Sequence, residues 1–228
     1  MDAEFYGIAI SLLLLGLLLW VLSIRSLWKF AHSRLRPEAM WGSGLALAAA
    51  AMNVEMLVYV GIVTTPLLQS YIFLSAAIVG VLSLGATKIL RSPRLEAGYS
   101  AYTVLTCALV GVFSFITPLP DGMVTNGIIT GNPPLLLLIL SSLVTVPATV
   151  VLLSATVLSL RRSKRWQTLL MAAGAIILGA GGVFYIASFP VALYYAEFIG
   201  ICVLFVGLLN LPQPSPTASP VGQPAAVP

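Results

Sequence analysis

Two glutamates stand where a carboxylate is expensive. Glu55 falls in the apolar run 41–63 and Glu197 in the run 190–210 of this 228-residue chain, and an ionised carboxylate in hydrocarbon costs on the order of a few kcal/mol, so such a residue is read first as a functional site. Counting from the ends of those runs, Glu55 comes to roughly 12 Å and Glu197 to roughly 10 Å below one common surface of the membrane. Tyr59 follows Glu55 by one turn and Tyr194 precedes Glu197 by three residues, so each carboxyl shares a helix face with a phenol. Asn53, with Gln69, Tyr71 and Tyr185, adds polar groups toward the same ends. If the two helices face each other, both carboxylates cannot ionise cheaply, and the pair would share a proton or hold a cation. Such a solute- or proton-binding site suits proton coupling, or recognition of a cationic or hydroxylated solute. The competing reading is that each glutamate is neutral or hydrogen-bonded and serves only helix packing.

Other chemistry is excluded by inventory. The one histidine, His32, reads as part of a basic loop, which removes bis-histidine haem and a buried Ser-His pair. Asp2 and Asp121 lie outside the apolar runs, no Cys/His/carboxylate cluster has zinc spacing, and no glycine-rich loop ends in Lys-Ser/Thr. Cys107 and Cys202 sit inside apolar runs and read as small packing residues. No cofactor is expected, and nothing marks an enzyme. Pro147 interrupts an apolar run among Ser141, Ser142, Thr145 and Thr149. A proline there removes one helix hydrogen bond and frees a carbonyl one turn earlier, which nearby Ser or Thr hydroxyls can replace, so Pro147 is a candidate hinge.

The elements that must position these groups follow from composition. With 59% hydrophobic and 8% charged residues and a mean hydropathy of +1.04, the chain belongs in a membrane. Apolar stretches near 5–25, 41–63, 67–88, 99–117, 134–160, 167–187 and 190–210 predict seven spans. Continuous Leu/Val/Ala runs without strict alternation exclude a transmembrane barrel, so the fold class is all-α, a polytopic seven-helix bundle. Met1-Asp2-Ala3-Glu4 is acidic where a secretory signal is basic, and the first run reads as a retained helix.

Charge orients the bundle. All 11 Lys and Arg residues, Arg25 to Arg165, fall in the segments after the first, third and fifth spans, while the opposite loops carry Asp121 and no cation. The positive-inside rule therefore puts the N-terminus outside and the C-terminus in the cytoplasm, with the cell membrane as the expected location. The basic balance is thus a topology signal rather than a nucleic-acid signal, and the partners it implies are the bilayer and anionic lipids at the cytoplasmic face. Residues 1–211 form the transmembrane domain, and 212–228, with six prolines and no charge, reads as a disordered cytoplasmic tail. Loop 118–134 is dense in turn formers and is the one sizeable outer feature.

Spans 1–3 and 5–7 share an orientation, and each set carries a basic loop, a tryptophan at the inner edge of the next span (Trp41, Trp166), a proline at its outer end (Pro66, Pro190) and a tyrosine beyond (Tyr71, Tyr195). This suggests a 3+1+3 parallel repeat. The layout resembles that of the SWEET sugar carriers and their PQ-loop relatives, although the Pro-Gln pair, Pro212-Gln213, lies in the tail rather than in a span. Seven helices with the N-terminus outside also resemble the microbial rhodopsins, but residues 190–210 hold no lysine for retinal. Two functions are expected: a small permease or channel-like protein with an outer-half proton or cation site, or an accessory subunit of a larger membrane complex, associating with a membrane-protein partner or with itself. The orientation is checked by impermeant thiol labelling of intact cells: single cysteines replacing Thr65 or Asp121 react from outside and one replacing Ser163 does not, whereas labelling at Ser163 inverts the topology.

Overall fold

The structure is a computed structural model, and it describes residues 3–33, 36–90, 92–125, 127–129, 133–163, 166, 169–170, 173–174, 176–177, 199–203 and 206–207. Five long helices follow one another: α1 (Ala3–Ser33), α2 (Arg36–Tyr59), α3 (Thr65–Leu90), α4 (Pro93–Ile116) and α5 (Leu135–Ser163). Between α4 and α5 lie two short strands, β1 (Val124–Thr125) and β2 (Ile128–Ile129). Among the described residues these five helices are long and apolar enough to cross a membrane. In the sixth and seventh expected spans the described residues, 169–170, 173–174, 176–177, 199–203 and 206–207, are helical. The rest of those spans, the full repeat and the 212–228 tail lie outside the described residues.

Polarity is inverted relative to a water-soluble bundle. The buried residues of α4 are Thr103, Thr106, Val110 and Ser114, whereas Val104, Leu105, Val112, Phe115 and Ile116 on the same helix are exposed. On α5 the exposed residues are likewise Leu135, Leu138, Ile139, Val146, Val150 and Val157. Water would reject such a surface and hydrocarbon accepts it, so the chain is a multi-pass membrane protein.

The helix ends explain where the sequence expectations shift. α1 continues to Ser33, so His32 belongs to its last turn and not to a loop, and its Nδ1 lies 2.9 Å from the Trp28 carbonyl. α2 opens at Arg36 with Pro37 in its first turn, where a missing N–H leaves no helix hydrogen bond unmade. α2 ends at Tyr59 rather than near 63. Gly61 takes φ +95°, Gly61 N–H donates to the Val58 carbonyl at 3.0 Å and Ile62 N–H to the Leu57 carbonyl at 2.9 Å, which is a Schellman close that needs a residue free of a Cβ penalty. Glu55 consequently lies one turn, roughly 6 Å, from the helix end and not roughly 12 Å.

Close helix approach comes from small residues. A Cβ at Gly42 would meet the Leu27 side chain of α1 at 2.8 Å, and one at Gly44 the Leu82 side chain of α3 at 2.5 Å. Gly80 of α3 is similarly crowded by Val144 of α5 and by Thr103 and Cys107 of α4. Trp41, expected as a membrane-edge anchor, is buried with its indole against Gly85 of α3. The α1–α2 pair is fastened at its basic end by Ser23 Oγ donating to the Gly42 carbonyl at 2.8 Å and by the Lys29–Glu38 ion pair at 2.8 Å. One apolar cluster joins Leu12, Leu15, Leu19 and Leu22 of α1 to Leu45, Ala49, Met52 and Tyr59 of α2, and Ile201 packs into it.

Pro147 stands inside a continuous α5. The carbonyl it deprives of a donor is that of Leu143, four residues earlier. The expected Ser and Thr hydroxyls do not fill the gap: Ser141 and Ser142 donate to Leu138 and Thr149 donates to Thr145. Tyr102 of α4 does, its hydroxyl donating to the Leu143 carbonyl at 2.6 Å. Tyr102→Phe should therefore lower stability by about 1 kcal/mol in the native chain and by nearly nothing in a Pro147→Ala background, where residue 147 regains its N–H. Detergent unfolding of the four proteins reads this cycle, and independent, additive losses would refute the link.

Candidate functional site

Glu55 is the one carboxylate among the described residues of the helix interiors that is buried, at 4% exposure. Its partner comes from the next helix. The Tyr71 hydroxyl, one and a half turns into α3, donates to Glu55 Oε1 at 2.5 Å, and the antiparallel α2–α3 packing is what brings the two to one level. Tyr71 is itself held by its helix, where Ser75 Oγ donates to the Tyr71 carbonyl at 2.9 Å. Glu55 Oε2 has no hydrogen-bond partner among the described residues. A buried carboxyl with one satisfied and one unsatisfied oxygen is a site prepared to take a proton or to accept a hydrogen bond or cation.

The remaining expected site residues are placed differently. Tyr59 is buried in the α1–α2 cluster, and its main-chain carbonyl lies beneath Gly127 of the hairpin. Asn53 is exposed, two residues and so roughly 200° around the helix from Glu55, with Oδ1 3.2 Å from where a Cβ would stand on Gly16 of α1. Gln69 turns away to α4, where its amide donates to the Phe115 and Thr117 carbonyls at 3.4 Å each and so caps free acceptors at a helix end. Glu197, Tyr194 and Tyr185 lie outside the described residues.

The hairpin is the part of the site that the sequence expectation of a plain loop overlooked. Val124 and Thr125 pair antiparallel with Ile129 and Ile128, and Gly122 and Gly127 take φ of +87° and +76°. Asn126-Gly127 between two β-branched pairs is the local signal that names such a turn. Two-residue strands are not stable alone; their hold is apolar. Met123 and Ile129 are buried with Val58 of α2, Leu68 and Ile72 of α3 and Leu137 of α5, and Tyr71, Phe113, Leu119 and Val124 pack against that group. Withdrawing a Met and an Ile from water contributes roughly 1.5–3 kcal/mol each. The ring that holds Glu55 is thus part of the cap.

Two more buried hydroxyls, Thr103 Oγ1 and Ser114 Oγ, lack partners among the described residues. Ser83, between them and the basic end, donates to the Gly80 carbonyl at 2.6 Å and lies 2.7 Å from the Tyr99 hydroxyl. These groups form a polar seam between α3 and α4, interrupted by the apolar contact of Ala76, Val110 and Val144.

Comparison with known proteins gives no family model, no curated relative and no solved structure that matches this chain. The site must therefore be read from its own chemistry.

A carboxyl retained for packing and one retained for exchange respond oppositely to removal. Glu55→Met with Tyr71→Phe should hold or raise the melting temperature in detergent, because it removes a buried oxygen that costs about 1–3 kcal/mol unsatisfied without stranding the phenol. Tyr71→Phe alone should lower it by a similar amount, because it leaves both carboxyl oxygens without that donor. A large loss of stability in the double variant would make the carboxyl structural.

Proposed function

We propose that the protein is a small permease or channel-like membrane protein in which Glu55 carries a proton, or holds a cation, near the outer surface. The observation that carries this reading is the half-satisfied carboxyl: Oε1 accepts from Tyr71 and Oε2 has no partner among the described residues, although the side chain is buried. A group that served only to join α2 to α3 would be cheaper as an amide or an apolar side chain, and so its retention argues for titration. The hairpin end of the bundle faces outside and the basic end faces the cytoplasm, in keeping with the positive-inside rule. Glu197 and Tyr194 complete the site from the seventh span. In support, Ile201, four residues beyond Glu197, packs into the α1–α2 cluster. Pro147, whose freed Leu143 carbonyl accepts from Tyr102, is the joint about which α5 bends.

The accessory-subunit reading has one observation in its favour. Asn53 is exposed on a membrane-spanning helix beside Gly16, and an amide next to a small residue is a helix-association device.

Proton flux separates the two. The full chain in liposomes with a trapped pH-sensitive dye should acidify the lumen under a potassium diffusion potential, and Glu55→Gln should reduce the rate at least tenfold while the melting curve stays cooperative. Infrared difference spectra of the native chain should show a protonated carboxyl band that the Gln variant lacks. Native-chain vesicles no faster than empty ones would overturn the permease reading, and co-purification with a second membrane protein at fixed stoichiometry would then favour the subunit.

A further inference from the structure

Glu55 is one turn from the end of α2, a depth at which a side chain ordinarily meets interfacial water. It is nevertheless 4% exposed, and the β1–β2 hairpin packs on Val58 and Tyr59, the next turn of α2 outward, and beside its Tyr71 partner. Three observations make the hairpin separable from the helices. The contact between hairpin and bundle is apolar: Met123 and Ile129 against Val58, Leu68, Ile72 and Leu137. The Tyr71 ring, whose hydroxyl binds Glu55, packs against the same cluster, so a displacement of the hairpin is felt at the carboxyl's donor among the described residues. And at Gly127 the hairpin presses directly on main chain, with a would-be Cβ 3.0 Å from the Tyr59 carbonyl oxygen at a φ of +76°, so that a side chain at this point is both crowded and strained while the hairpin is seated.

We propose that the β1–β2 hairpin is an outer lid over the Glu55–Tyr71 pair, and that its lifting admits water and the exchanging proton or cation to the carboxyl. The assignment deepens the permease reading and rests on Glu55 as its exchange site, but the lid itself is tested without any transport. Closed, the apolar cluster keeps Val58 at 0% exposure; open, Val58 and the Tyr71 ring face water. Apolar contact suits a lid because it has no directional bonds to break and reseals by excluding water.

The probe is an impermeant thiol reagent on the full chain in liposomes, with Cys107 and Cys202 replaced by alanine and a single cysteine replacing Val58. Labelling should be slow with the native hairpin and at least about tenfold faster with Gly127→Val, whose β-branched side chain is strained at that φ and crowds the Tyr59 carbonyl. Because that variant could unfold more than the hairpin, Met123→Ala with Ile129→Ala provides a second, milder loosening, and a cooperative melt certifies each protein. Labelling that is already fast with the native hairpin, or that stays slow in both cooperatively melting variants, overturns the lid. Absent proton flux in the native chain would overturn the permease reading instead, and the two failures are therefore distinguishable.

Discussion

Hydrocarbon offers a polar group no hydrogen bond, so a helix that crosses it is stabilised when its polar groups find partners inside the protein. That constraint explains the structure's most specific contacts. Proline at 147 leaves the Leu143 carbonyl without its helix donor, and the phenol of Tyr102 reaches across from α4 to supply one. Ser23 crosses from α1 to the Gly42 carbonyl, Gln69 crosses from α3 to the end of α4, and Ser83 meets Tyr99. Each is a polar side chain on one helix answering an acceptor or hydroxyl on another, and together they set the rotation of each helix about its axis. Against that background three buried oxygens without partners among the described residues stand out, Glu55 Oε2, Thr103 Oγ1 and Ser114 Oγ, and of these only Glu55 can carry a charge.

Packing makes those crossings short enough to work. Hydrocarbon outside and hydrocarbon inside give no hydrophobic drive between helices, so close approach through small residues takes its place. α2 illustrates this on both flanks, with Gly42 against Leu27 of α1 and Gly44 against Leu82 of α3. Gly80 does the same where α3, α4 and α5 meet. Where the chain emerges from the membrane the ordinary hydrophobic effect returns, and there Met123 and Ile129 close the bundle.

The candidate site lies at the boundary between those two regimes. Its carboxyl belongs to a membrane-spanning helix and its phenol to the next, and the lid proposed for it is the hairpin between α4 and α5. Depth in the bilayer alone would leave Glu55 near the interface, because the Gly61 turn ends α2 early. At that level α3 supplies the phenol that donates to it, and the hairpin packs on the next turn of α2, at Val58 and Tyr59.

What the sequence by itself determined are the properties that sum over a local stretch: apolar runs long enough to span, the one-sided distribution of Lys and Arg, the proline that interrupts α5, and the cost that singles out Glu55. Each is decided by residues adjacent in the chain, so each is legible without a fold. The ends of α2 and the hairpin were also legible, in Gly61 and Asn126-Gly127, but as turn chemistry that hydropathy windows average away. Only the tertiary structure decided that Tyr71 rather than Tyr59 bonds Glu55, that Tyr102 rather than a neighbouring Ser or Thr answers Leu143, and that Asn53 faces away from the carboxyl. Those outcomes depend on how each helix is rotated about its axis against residues distant in sequence, and that rotation is set by which small residues meet which large ones across the interface, a relation no single stretch of chain contains.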